Sequence, residues 1–582
     1  MKVKQVAEVL ALEGLNAPTL NVLMPNEDNY SVLIMQPQGN INASGVGVQN
    51  RDRDMAASQF KQFLEKAKQT RADLVITPEY SMPWEVLIAG IKENNVPELG
   101  KLWALGCESI KYSALEELKQ DLAPSITLLY EPLQSEPGKF IDPLVYVFVA
   151  SSVEGMGHPT TVMLLQFKTS PMGDNDHYEI NSMQRGTYIY QFGVIDQTLK
   201  LVSLICSDVF AFKDADARSI YDRALVIHIQ MTPNPRQEQY RQYRERLFQF
   251  KGDATELICV NWAKDVQAWS GDQVKQWNNI SGSAWYLRPE QFEEGDSALC
   301  ANHQHGLYYT WLDALRSHVL FFNYDPAIYL VQATKVAHVG VVASLSRRRG
   351  PLVTKGWVWN NTIPTWAERV TIKDGFSDIV HESGGAAANL SLIANQNPIE
   401  AERVLALCAG EVGHSDEWYK ARKLDSCSID STEIIHRLTF CQDKDHKASS
   451  FRIARLKRCG NLWEILKTEN TMPAALTDFK EGFHFDWSSD SPHQNAVSAK
   501  GRRATVIYMG EESSAAQVEE VAKKAVEFVG RWFAEPDKSH NARQRVAVWY
   551  RDNGTIVPCN LQHLVRYDNP GNTSEFDIGR QA

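Results

Sequence analysis

Three short apolar runs in the first half of the chain each stop abruptly on a chemically active side chain, and this pattern constrains the chain more than any other feature. Residues 201–210 read Leu-Val-Ser-Leu-Ile-Cys-Ser-Asp-Val-Phe, apolar and rich in branched side chains up to Cys206, then polar at Ser207 and Asp208. A strand that ends in this way delivers a thiol to the rim of a sheet. Taken alone, such a cysteine reads as an inert core residue, because free cysteine is among the most buried residue types. Its company changes the reading. Residues 72–80, Ala-Asp-Leu-Val-Ile-Thr-Pro-Glu-Tyr, form a second buried strand, in which Pro78 ends the ladder and leaves Glu79 at the strand mouth. Residues 164–171 form a third run closing on Lys168, and Glu179 follows eleven residues later.

A carboxylate, a cation and a thiol at three strand ends suit acyl transfer. The carboxylate takes the thiol proton, the thiolate attacks a carbonyl or nitrile carbon, and the ammonium stabilises the developing negative charge. A lysine close to the cysteine is also expected to favour the thiolate, making Cys206 the fastest of the cysteines to be alkylated near neutral pH.

In order and separation these residues resemble the catalytic glutamate, lysine and cysteine of the nitrilase (carbon-nitrogen hydrolase) superfamily. The resemblance covers residues 28–345. Residues 31–37 are similar to that family's first strand, 54–70 to its first helix, and 187–195 to the hairpin before the cysteine strand. Residues 224–230 and 257–263 resemble the next two strands, 237–254 the helix between them, and 281–286 the segment after the last active-site loop.

The resemblance implies an α/β fold, a four-layer αββα sandwich, and hydrolysis of a non-peptide carbon-nitrogen bond through a Cys206 thioester without a metal or organic cofactor. It further implies that Glu179 orients Lys168 and that the backbone N–H of Ser207 joins Lys168 in holding the oxyanion. Loops around Trp84, Phe210 and Pro233, with Ser207, are expected to wall the substrate pocket. Three departures bear on the substrate. Ser207 stands where many members carry Tyr or Trp, and no proline follows Val209-Phe210-Ala211-Phe212; Lys168 also sits in a less basic segment than is usual. Ser-Asp after the cysteine leans towards a small-molecule amide over a nitrile. Two alternatives stay open: an inactive scaffold used for binding or regulation, and a glutaminase or effector gated by the C-terminal region.

With 582 residues the chain is too long for one ordinary domain, and two or three are expected. The boundaries read as an N-terminal extension over 1–27, the hydrolase domain over 28–345, a linker over 346–395 and a C-terminal α+β domain over 396–582. Beyond residue 350, 398–409 reads as a helix, 433–440 and 451–456 as strands, and 504–509, 516–533 and 545–550 as strand, helix, strand. Residues 383–388, Ser-Gly-Gly-Ala-Ala-Ala, are similar to a Ser-Gly-Gly-x-Asp-Ser pyrophosphate loop, but Ala387 and Ala388 remove its metal-facing oxygens, so a connector is expected. His436, Cys441, His446 and Cys459 lack the tight ligand pairs of a zinc site, and His303 and His305 read as polar loop residues.

A net charge of -11 argues against nucleic-acid affinity, and the one basic run, Arg347 to Arg349, reads as a solvated loop. Nine cysteines without a Cys-x-x-Cys pair point to a reducing compartment, hence the cytoplasm. No N-terminal stretch has the form of a signal peptide, and no apolar run approaches the roughly 18 residues of a membrane span. A homo-oligomer is expected, and the C-terminal domain is where a protein partner would bind.

Overall fold

The computed structural model describes residues 2–561, apart from interruptions of eight residues or fewer and three longer ones at 336–349, 370–397 and 421–445. The chain divides into two compact units, Met1–Ile372 and Lys373–Ala582.

Two sheets dominate the first unit. One has nine strands in the order Thr365–Arg369, Leu352–Asn360, Ala327–Thr334, Asn29–Gln36, Leu74–Met82, Leu102–Cys107, Pro143–Ala150, Thr160–Phe167 and Ile126–Tyr130. The other has eight, ordered Lys2–Gln5, Tyr188–Phe192, Lys200–Ile205, Ala224–Ile229, Thr255–Val260, Ala284–Leu287, Ser317–Phe322 and Leu307–Leu312. The strands carrying the chemistry are parallel to neighbours: Leu74–Met82 to the strands on both sides of it, and Lys200–Ile205 to Ala224–Ile229. Every residue of Leu74–Met82 is buried, which explains why its sequence runs apolar without alternation.

The helix Arg53–Thr70 starts at Asp52, whose carboxylate accepts from the Met55 N–H, and its period-3.6 residues Phe60, Phe63, Leu64 and Ala67 are buried. With helices Trp84–Lys92 and Ala114–Leu122 it shares an apolar layer with Leu33, Val75 and Trp103 of the nine-stranded sheet. The two sheets are tied by Gln166, fully buried. Its amide donates to the Ser203 carbonyl at 2.9 Å, while its oxygen accepts from the Tyr146 hydroxyl and the Tyr190 N–H. A buried amide satisfied on both ends in this way fixes one arrangement of the layers. Beside the eight-stranded sheet, helix Glu238–Phe248 packs Tyr240 and Tyr243 against His228.

Three expectations are corrected. Residues 1–27 are not a detached extension, because Lys2–Gln5 pairs with Tyr188–Phe192 at the edge of the eight-stranded sheet. Residues 346–395 are not wholly a linker, because Leu352–Asn360 and Thr365–Arg369 pair as a hairpin that extends the nine-stranded sheet. Trp366 donates its indole N–H to the Gln59 carbonyl and joins the layer under helix Arg53–Thr70. Pro351 and Pro364 lie directly before the two strands. Residues 451–456 lie in the helix His446–Thr468, not in a strand. A six-residue window was too short to separate periods; Leu456, Cys459, Leu462 and Ile465 are buried at helical spacing further on.

The second unit has a five-stranded sheet with Arg503–Tyr508 parallel to Val546–Asp552, joined through helix Ala515–Gly530. This matches the expected strand, helix, strand order, and the helix Pro398–Cys408 matches the expected one. Helix Ala515–Gly530 opens with a reciprocal cap between Ser514 and Gln517. The expected strand 433–440, His436, Cys441, the loop 383–388 and Arg347 to Arg349 lie outside the described residues. Cys459 is a core residue beside Cys408. Among the described residues no helix is long and apolar enough to cross a membrane.

Candidate active site

Pro78 breaks the pairing of Leu74–Met82 with Leu102–Cys107, whose register jumps between Thr77 and Met82. The released segment bulges, and Tyr80 adopts a left-handed φ of 55°, a conformation that costs a bulky residue energy. The bulge lies directly on Gly106, where a Cβ would come within 2.1 Å of the Pro78 carbonyl oxygen. Only glycine fits there, and the bulge turns Glu79 inward.

Lys168 follows the strand Thr160–Phe167. Its N–H donates to the Asp142 carbonyl, and its own carbonyl accepts from Gly186. The ammonium donates to Glu79 Oε1 at 2.7 Å and to Glu179 Oε1 at 2.9 Å, with Asp142 Oδ2 at 3.6 Å. Glu179, on the short helix Tyr178–Ser182, also accepts from the Tyr80 hydroxyl at 3.0 Å and the Met172 N–H at 2.6 Å. The side chains of Glu79 and Lys168 are each 1% exposed.

Cys206 ends the strand Lys200–Ile205 and opens a 3-10 turn, Cys206–Ala211, with a left-handed φ of 40°. Asp208 holds this elbow. Its carboxylate accepts from the N–H groups of Ile205, Thr169 and Ser170 and from the Thr169 hydroxyl, at 2.6 to 3.0 Å. The Ser207 hydroxyl donates to the Ser170 carbonyl at 2.6 Å. The turn after the thiol is therefore bonded to the residues directly after Lys168, which brings the two strand ends together.

His228 Nε2 lies 3.0 Å from the Cys206 carbonyl, and Nδ1 lies 2.6 Å from the Tyr243 hydroxyl. A carbonyl can only accept, so Nε2 carries the hydrogen and Nδ1 accepts from Tyr243. Burial, ahead of the charges of Arg244 and Lys168, pushes the His228 pKa down to about 3, so the imidazole is neutral. The thiol itself lies 3.0 Å from the Tyr240 hydroxyl, and Phe210 packs edge-on against Tyr240 at 5.1 Å between centroids.

The electrostatics of this group differ from the sequence expectation. Burial alone would lower the Lys168 pKa, but Glu179 and Glu79 beside it raise it well above its ordinary value, so the ammonium is permanent. Burial, then the charge of Glu79, raises the Cys206 thiol well above its ordinary value, although Lys168 and Tyr240 both act the other way. At 2% exposure the residue rests as a thiol, not as the expected thiolate. Burial also raises Glu79, with Lys168 opposing and Glu179 adding to the effect.

Glu79, Lys168 and Glu179 are thus in direct contact, and Cys206 interacts electrostatically with Glu79, Lys168 and Glu179. Phe210 lines the thiol's surroundings through Tyr240, while Pro233 is half-buried beside Thr232. Trp84 does not fit its expected place as a pocket wall. It opens the helix Trp84–Lys92 in the outer apolar layer and donates its indole N–H to the Glu108 carbonyl. Four residues that sequence reasoning missed complete the group: Asp142, Asp208, His228 and Tyr240. Asp142 carried a legible signal, since Ile141-Asp142-Pro143 sets a carboxylate against a proline at a strand mouth, as Pro78-Glu79 does. The carboxylates of Glu79, Asp142 and Glu179 lie within 4.8 Å of one another, a spacing that could hold a metal ion, but the Lys168 ammonium already bonds two of them and stands as their cation.

No protein-family model matches the chain, and no curated protein matches it. Among solved structures it is similar to a glutamine-dependent NAD+ synthetase from Acinetobacter baumannii, at 13% identity over 55% of this chain and 49% of that one, with a TM-score of 0.29. The chain thus spans about half the length of that synthetase. It is also similar to a CN-hydrolase superfamily protein from Xanthomonas campestris, at 12% identity over 55% of this chain and 93% of that one, TM-score 0.30. A third similar structure is Nit3 of Saccharomyces cerevisiae, at 12% identity over 46% of this chain and 83% of that one, TM-score 0.25. The solved structures that this chain resembles, at low identity and over part of its length, include members of the nitrilase, or CN-hydrolase, superfamily.

Proposed function

We propose that the first unit is a thiol-dependent hydrolase of a non-peptide carbon-nitrogen bond, an amide in preference to a nitrile, built on an αββα sandwich of the nitrilase type. The observation that carries this reading is the Lys168 ammonium bonded at 2.7 and 2.9 Å to two buried carboxylates, with Cys206 on a left-handed strand end tied to the same loop. Burying an ion pair and two strained residues is costly to stability, and such cost is retained at sites of chemistry.

Because Cys206 rests as a thiol, Glu79 acts during attack and not before it. Its raised pKa makes it a stronger base than an ordinary carboxylate and so suits it to take that proton. As the sulfur bonds the carbonyl carbon, the proton passes to Glu79 and the oxygen gains negative charge, which Lys168 and the Ser207 N–H hold. Collapse of the adduct breaks the carbon-nitrogen bond; Glu79 returns its proton to the departing amine, leaving a thioester. Water then attacks the thioester, giving its proton to Glu79, and the acid leaves as the thiol is reformed. Tyr240 would donate to the sulfur while it is charged.

A panel of small amides and nitriles, glutamine and asparagine included, tests the reading by ammonia release, with Cys206→Ala as the blank. Release that depends on Cys206 is the expected result. Release by none of them, or equal release by the variant, would leave the inactive-scaffold alternative standing.

A further inference from the structure

Among the buried ionisable groups to which the mechanism gives no role, Asp142 lies closest to the reacting residues. Asp142 is fully buried at the start of the strand Pro143–Ala150, and among the described residues neither of its carboxylate oxygens has a hydrogen-bond donor. The groups around it are Cys107 from the neighbouring strand Leu102–Cys107, Glu79 and Tyr80 from the strand beyond that one, Lys168 just past the neighbouring strand Thr160–Phe167, and Glu179 from the short helix. Of these, Tyr80 gives its hydroxyl to Glu179, and Cys107 is a buried thiol that burial, then the charge of Glu108, keeps protonated. One ammonium therefore faces three carboxyls, at 2.7, 2.9 and 3.6 Å. Three negative charges around one positive charge, with almost no access to water, are not tolerated; a proton must be held among them.

The geometry says where. Glu179 has three donors and Glu79 has the shortest contact to Lys168, whereas Asp142 has the longest contact and no donor. The proton settles on the group whose ionised form is least served. Two carboxyls within reach of each other also form a hydrogen bond only when one of them is protonated, which accounts for Asp142 oxygens that no donor among the described residues reaches. We propose that Asp142 is held as a carboxylic acid in the resting protein and donates its proton in a hydrogen bond to Glu79, acting as a positioning residue for the base. Its role towards Glu79 rests on the reading of Glu79 as the base; its protonation does not. Burial, then repulsion from Glu79, raises Asp142 well above the ordinary carboxylate range, in keeping with the geometry.

A donor fixed on Glu79 stabilises the ionised base and keeps it from turning away from the thiol. The sign follows. Asp142→Asn replaces the O–H donor with an N–H donor at the same place, so the acidic limb of the kcat/KM profile stays where the wild type has it. Asp142→Ala removes the donor, disfavours ionised Glu79 and moves that limb about one pH unit upward. An ionised Asp142 would give the opposite: its removal as Asn would relieve repulsion and move the limb downward.

The deciding measurement is infrared spectroscopy of the full chain carrying carboxyl-labelled 13C-aspartate, titrated from pH 5 to 9. The expected result is an isotope-shifted carboxylic-acid carbonyl band that persists at neutral pH and is lost in Asp142→Asn. No such band in the wild type overturns the proposal, as does a band that survives unchanged in the variant. The wild-type titration needs no variant to fold and no substrate. A band with a downward-shifted limb in Asp142→Asn would retain the protonation and overturn the positioning role, and a chain that hydrolyses nothing would refute the base reading while the band still decides the state of Asp142.

Discussion

Replacing Lys168 with Met removes the only cation among the described residues that bonds Glu79 and Glu179, with little change in volume. Each short contact is worth roughly 6 kcal/mol of attraction at an effective dielectric of about 20, most of it offset by desolvation. What the variant loses is set by the cheapest escape, which is for the stranded carboxylates to take up protons. From an ordinary carboxylate pKa near 4.5 this costs about 3.4 kcal/mol per group at pH 7 but only about 0.7 kcal/mol at pH 5, at 1.36 kcal/mol per unit. The total at pH 7 should be about 3 to 5 kcal/mol, as for other broken buried pairs. Unfolding entropy of about 2.1 cal/mol/K per residue over the first unit, residues 1–372, gives about 0.8 kcal/mol/K, so Tm should fall by roughly 4 to 6 °C at pH 7 and 1 to 2 °C at pH 5. In the variant the folded state holds more protons than the unfolded state above pH 4.5, so stability declines as pH rises. The wild type differs: its Lys168 has a raised pKa, so that contribution is complete below the unfolded value of 10.5 and is lost only as pH climbs through the folded one. Calorimetric Tm values from pH 5 to 8 test this. A loss that is equal at pH 5 and pH 8, or below 1 °C throughout, would refute the single-cation account.

Glu79→Gln should keep the hydrogen bond to Lys168 and lower kcat by roughly 10² to 10⁴, the usual range for a lost general base, with the fold checked by circular dichroism. Tyr240→Phe removes the hydroxyl 3.0 Å from Sγ, and losing one hydrogen bond to a developing thiolate should lower kcat/KM by about 10- to 100-fold. Cys206, buried and resting as a thiol, should react with iodoacetamide at pH 7 more slowly than half-buried Cys559, and mass-spectrometric mapping over time would show the reverse order if Lys168 held it as a thiolate.

How far the fold was legible depended on how local its signal was. The strands ending at Glu79, Lys168 and Cys206 were readable because burial on both faces writes a continuous apolar run, and a proline or polar residue marks where pairing stops. The hairpin 352–369 was not. Pro351 lies just before its first strand and Pro364 in its turn, where a missing N–H does no harm, and both look the same as linker prolines. Lys2–Gln5 was illegible for a different reason: four residues with two lysines become a strand only because Tyr188–Phe192 offers an edge to pair with.

The candidate site divides along the same line, and the division bears on mechanism. Residue types at strand ends can name a base, a cation and a thiol, but the protonation of each is a property of the enclosure. From sequence, lysine beside cysteine implied a thiolate, as at an exposed site. The structure places Glu79 and Glu179 between that charge and the sulfur's benefit from it: both bond the ammonium, and burial then favours the neutral thiol. The same enclosure makes Asp142 and Tyr240 part of the site, the one through a missing donor and the other through a hydroxyl delivered by a helix 34 residues further along the chain than the thiol. Under the proposed reaction, a neutral resting thiol served by a base of raised pKa would hold its reactivity back until a carbonyl carbon is in place, and would leave Cys206 slow towards oxidants and alkylators meanwhile.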